Sequence, residues 1–149
     1  MSASNPTAAG GQRASAPPPP AAATRIIEEC AHGSHAGTLS FGDVVGKLMG
    51  AGVESYFADF RHGTTTYYLA SGASHAVPLP TPDLGIAEAF DSAAIIRAIR
   101  GSQRGEVKYP EFVQRAITSG CIGYFVFIAG RHVRYLGRRG EDHVEHFPQ

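Results

Sequence analysis

Displaced against itself by 68 positions without gaps, the chain lays residues 41–80 over residues 109–148. Eight positions then coincide: Val45 with Val113, Gly52 with Gly120, Tyr56 with Tyr124, Phe57 with Phe125, Tyr67 with Tyr135, Gly72 with Gly140, His75 with His143 and Pro80 with Pro148. Ordinary composition gives about two or three such matches. Phe41 also opposes Tyr109, Lys47 opposes Arg115, and Met49 opposes Ile117. The chain is therefore expected to hold two copies of one unit, each too small to bury its own apolar face. The two should pack together about a pseudo-two-fold axis.

Local signals give the unit its content. Ser40 suits a helix N-cap, and Phe41, Val44, Val45, Leu48 and Met49 recur with the period of one helix face until Gly52. Residues 53–60, 64–69 and 74–79 favour strands, with turns at His62-Gly63 and Ser71-Gly72. In the second copy Pro110 opens the helix and Gly120 closes it, and strands are expected over 122–128, 131–136 and 141–147. Two further helices are expected. One is a short segment over 25–30 capped by Thr24, ended by a loop at His32, Gly33, His35 and Gly37. The other lies between the copies, capped by Asp91 or Ser92, with Ile95, Ile96 and Ile99 on one face and Arg97, Arg100 and Arg104 on another. The fold class is α+β, an internal duplication of helix plus three-stranded antiparallel meander.

Residues 1–24 hold Pro6, Pro17 to Pro20 and one charge, Arg13, with no aromatic or large aliphatic side chain after Met1. Such a stretch cannot offset its ordering entropy, so a disordered tail is expected, followed by a single domain over 25–149. Thirteen basic and thirteen acidic residues cancel, which excludes a wholly basic nucleic-acid binder. No apolar run approaches the roughly 18 residues of a membrane span, and the start lacks the apolar core of a secretory signal. Two cysteines, Cys30 and Cys121, make neither a disulfide framework nor a four-cysteine metal cage. The expected location is cytoplasmic.

The stretches FGDVVGKLMGAGVESYFADF, IIRAIRGSQRGEVKYPEF and GCIGYFVFIAGRHVRYLGRRGEDHVEHFP carry a family resemblance. Over residues 25–148 the chain resembles the YdfO-like family of small bacterial proteins of unknown function, some prophage-borne and loosely labelled phage envelope proteins. The resemblance implies an α+β fold and a bacterial origin. It brings no catalytic residue with it.

His75 and His143 each fall three residues after a turn glycine. On a structural reading they hydrogen-bond the hairpin backbone. On a functional reading the pseudo-symmetry brings them with Tyr67 and Tyr135 into one cleft, as a ligand site or, with Glu145, as the acid and base of a small hydrolase. A divalent metal on His75, Glu141, His143 and Glu145 is a further option, because the last three alternate along one strand face. Cys121 aligns with Val53 and so reads as a buried thiol rather than a nucleophile. There is no G-x-S-x-G elbow, Walker loop or dinucleotide fingerprint.

Residues 97–139 carry nine basic and two acidic side chains, a local charge of +7 that the rest of the chain balances. Arg97, Arg100, Arg104, Arg138 and Arg139 are the candidate partner-binding surface. These readings converge on a non-catalytic accessory or regulatory module that binds a protein partner, a second copy of itself or a small ligand. Hydrolase and nucleic-acid binding through the arginines are the alternatives. No cofactor and no membrane contact are expected.

Overall fold

The computed structural model describes residues 16–148. Its helices are α1 (Ala21–Ala36), α2 (Phe41–Gly50), α3 (Ser92–Gln103) and α4 (Tyr109–Thr118). Its strands are β1 (Val53–Asp59), β2 (Thr64–Leu69), β3 (Ser74–Pro78), β4 (Cys121–Phe127), β5 (His132–Gly137) and β6 (Asp142–His146). All six strands form one antiparallel sheet in the order β3-β2-β1-β4-β5-β6. The class is α+β, with helices on one face of the sheet.

The pairing repeats at the same offset as the residues. Tyr56 faces Tyr67 across β1 and β2, as Tyr124 faces Tyr135 across β4 and β5; Tyr67 faces His75, as Tyr135 faces His143. Each first hairpin carries an irregularity at its start, between Val53 and Ser55 and between Cys121 and Gly123. At the joint Phe57 lies opposite Phe125, flanked by Ser55 with Phe127 and Asp59 with Gly123. The β1–β4 register is therefore symmetric about the Phe57–Phe125 pair.

Alternation along the strands decides what lies inside. Tyr56, Ala58, Tyr67, Leu69, Val77, Tyr124, Val126, Val133 and Tyr135 are buried toward the helices. There they meet Ile27 and Cys30 of α1, Val44, Val45 and Leu48 of α2, Ile95 and Ile99 of α3, and Phe112, Val113 and Ile117 of α4. Helix α2 is held by a capping box, in which Ser40 Oγ accepts from the Asp43 N–H and Asp43 Oδ2 from the Ser40 N–H, both at 3.1 Å. Pro110 occupies the first turn of α4 as expected.

Three expectations are corrected. Helix α1 begins at Ala21, not after Thr24, because Pro20 serves as its N-cap residue and its carbonyl accepts the Thr24 N–H at 3.0 Å. It also continues through His32, Gly33 and His35. Gly33 sits against the Leu39 side chain, where a Cβ would lie 2.5 Å from Leu39 Cδ1, and the turn waits for Gly37 at φ 77°. The tail assigned to residues 1–24 thus loses its last four residues to a helix, and residues 1–15 lie outside the described residues. The apolar stripe of α2 is narrower than its periodicity implies: Phe41 and Met49 are 43% and 55% exposed. Phe41 turns its ring edge onto Phe147, 5.4 Å between centroids.

The connection between the halves is strapped across the strand ends. Leu79 donates to the Gly63 carbonyl at 2.8 Å, Ala87 to Ile117 at 3.2 Å, and Asp91 to Ser119 at 2.8 Å. Asp91 then caps α3, its carboxylate accepting the Ala94 N–H at 3.0 Å. The strap passes so close to Gly120, at φ 87°, that a Cβ there would collide with the Ala89 carbonyl.

Candidate functional site

The two histidines that sequence reading brings together are held at opposite edges of the sheet. His75 lies on β3 and His143 on β6, with four strands between them, a separation of about 24 Å at 4.8 Å per strand. The physical reason is the joint: β1 and β4 meet at the centre, which sends the third strand of each half outward. The shared cleft of His75, His143, Tyr67 and Tyr135 does not form. The proposed metal set is divided in the same way, and among the described residues no three histidine, cysteine, aspartate or glutamate side chains converge.

Among the described residues neither histidine bonds the hairpin backbone. His75 Nε2 lies 2.7 Å from Glu28 Oε2 on α1, and His143 Nε2 lies 3.2 Å from Glu145 Oε1 two residues along its own strand. Glu145 also accepts from Arg100 Nη1 at 2.6 Å. Burial opposes its charge, but the hydrogen bonds from Arg100 and His143 outweigh it and hold the carboxyl below the usual range. Glu141 is engaged at the hairpin turn, where its Oε1 accepts the Arg139 N–H at 2.9 Å.

Tyr67 and Tyr135 belong to a buried aromatic layer that includes Tyr56, Tyr109 and Tyr124. Tyr56 stacks on Tyr67 at 5.1 Å, Tyr124 lies 5.6 Å from Tyr135, and the Tyr109 and Tyr124 hydroxyls share a 2.7 Å hydrogen bond. Burial raises the pKa of all five, that of Tyr109 to about 12. His35 sets its ring edge on Tyr109, and its buried Nδ1 has no partner among the described residues. Cys121 is fully enclosed, 3.2 Å from the Gly123 carbonyl, and burial pushes its thiol up to about 11. Burial raises Cys30 as well. Burial disfavours the thiolate at both cysteines, the form that a cysteine nucleophile needs.

The arginine surface is largely satisfied by the chain's own acids. Arg100 pairs with Glu145, Arg104 with Glu106 at 3.1 Å, and Arg139 with Glu88 at 2.8 Å. Arg138 bonds the Ile86 carbonyl at 3.3 Å, and Arg97 has no carboxylate within 4.0 Å among the described residues.

What the sequence reading missed lies on the other side of the sheet, which no helix covers among the described residues. Phe57 and Phe125 meet at 5.3 Å in its centre; Tyr68 stacks on Phe125 at 6.2 Å, and Phe127 at 4.5 Å. The series runs on through His132, 5.1 Å from Phe127, to His146, 6.0 Å further. Tyr68 and Val144 are each 39% exposed. The charges on this face are Asp59, Asp142 and Arg134, and Arg134 Nη2 is bound to Asp142 Oδ2 at 2.6 Å. The signal was present in β4, where Tyr124 and Val126 alternate with Phe125 and Phe127, leaving neither side of the strand polar.

No family model matches the chain. It is similar to uncharacterized proteins of Mycobacterium bovis and Mycobacterium tuberculosis, 34% identical over 65 residues in each case, or 42% of this chain. The chain spans about two fifths of the length of these curated relatives, 40%.

Proposed function

We propose that the chain is a non-catalytic interaction module of the bacterial cytoplasm, related to the YdfO-like proteins, that pairs with a second copy of itself through the open sheet face. The uncovered aromatic series centred on Phe57 and Phe125 is the observation that carries this reading. A six-stranded face of five-residue strands presents about 29 by 17 Å, roughly 500 Å² per partner. Two such faces reach about 1,000 Å², the lower limit for a specific interface, so the expected pair is a reversible one. Because its few charges nearly cancel, the face offers a strongly charged partner little, whereas a second flat, twisted sheet matches its shape. The symmetric β1–β4 register brings both phenylalanines of each copy to the centre of the contact. The repeated register supports a duplicated origin for the two halves, and two buried thiols in unpaired form support a reducing compartment.

Aromatic side chains on a sheet also suit single-stranded nucleic acid. Charge ranks that reading second, because Arg134, the arginine this face carries among the described residues, is tied to Asp142. Sedimentation equilibrium over a dilution series separates the two. Expected is a monomer–dimer equilibrium that changes little between 50 and 500 mM salt and is lost in Phe125→Thr and in Thr66→Lys, with melting preserved in the latter. A chain that stays monomeric at several hundred micromolar overturns the reading, and salt-sensitive binding of an oligonucleotide replaces it.

A further inference from the structure

Where the strap leaves the sheet, its residues 81–86 run between the Leu79–Gly63 and Ala87–Ile117 backbone bonds and border an open groove of about 590 Å³. That size is in the range of small-molecule sites. Its apolar lining includes Phe60, Ile117, Ile86 and Leu84, the last 42% exposed. Its charged lining is Arg61 and Arg138, with no aspartate or glutamate. Arg100, Arg104, Arg115, Arg134 and Arg139 all have a carboxylate within 4.0 Å, whereas among the described residues Arg61 and Arg138, like Arg25, Arg97 and Arg131, do not; of these five, Arg61 and Arg138 line the groove. The nearby Asp59 carboxylate is turned into its own hairpin, accepting the Arg61 and His62 backbone N–H groups at 3.0 Å each.

The geometry points to a binding site for a small amphipathic anion, its carboxylate or phosphate head held by Arg61 and Arg138 and its apolar body laid against Phe60, Leu84, Ile86 and Ile117. Arginine suits such a head because its donors form a planar fork that matches two anionic oxygens. Arg138 is braced for the task, since its bond to the Ile86 carbonyl at 3.3 Å ties the guanidinium to the side of the groove. The site stands at the strand ends and does not depend on the sheet-face pairing.

Isothermal titration of the full chain with octanoate, octyl phosphate and 1-octanol tests it. At least one of the two anions is expected to bind about tenfold more tightly than the alcohol, and the tighter one names the head group. Arg61→Gln changes an exposed side chain and is expected to weaken anion binding about fivefold or more while leaving melting unchanged. Leu84→Ser is expected to remove the preference for octanoate over butanoate. Equal binding of octanol and both anions, unchanged affinity in Arg61→Gln, or no binding of either anion overturns the assignment.

Discussion

Phe57 and Phe125, 68 residues apart, face one another across the central strand pair with their rings 5.3 Å apart on the side of the sheet away from the helices. Each is the other's counterpart under the offset that relates the two halves. The β1–β4 pairing that contains this contact puts β3 and β6, and with them the two histidines, at opposite edges of the sheet.

His75 meets a half-exposed glutamate on a neighbouring helix, and removing the imidazole leaves Glu28 open to water. His75→Ala is therefore expected to cost less than about 1 kcal/mol, the scale of a surface ion pair. Urea unfolding at pH 7 checks this, and a loss above 2 kcal/mol would restore a buried structural role.

Glu145 has a folded-state pKa below the ordinary carboxylate value, so it binds its proton less readily in the folded chain than in the unfolded one. Its contribution is complete above about pH 4.3, where the unfolded carboxylate titrates, and disappears as pH falls through the folded value. Wild type should exceed Glu145→Gln in stability at pH 6 by more than at pH 3. An equal difference at the two pH values would place the effect of Gln in packing rather than charge.

The thiols of Cys30 and Cys121 are expected to resist a disulfide reagent at pH 7.5 in the folded chain and to react at once in denaturant. Rapid labelling of Cys121 without unfolding would return it to consideration as a nucleophile.

Gly52 and Gly120 occupy equivalent helix ends with φ of 88° and 87°, yet their surroundings differ. A Cβ at Gly52 meets nothing within 4 Å, and one at Gly120 runs into the strap. Gly52→Ala should cost about 1 kcal/mol from backbone conformation alone, and Gly120→Ala at least twice that. Similar melting temperatures for the two variants would show that the strap yields.

The strands were legible because turn glycines and alternation are local: β2 falls on residues 64–69 as expected, and the others shift by one residue or two. Helix α1 was not, since Pro20 and Gly33 look like breakers until Leu39 is seen filling the space beside Gly33. The histidine cleft failed for a different reason. An offset reveals which residues are equivalent but not whether the symmetry axis lies near them or far away. Glu28 and Arg100, the partners of His75 and Glu145, come from helices outside the repeated segments, where no internal comparison could point to them.

The joint between β1 and β4 also sets an order of events. Each meander closes through turns of a few residues, whereas the Phe57–Phe125 ladder must bring together positions 68 apart in the chain. Chain closure over that distance carries the larger entropic cost, so the two hairpin halves are expected to order first and the chain to become one cooperative body when their leading strands zip together.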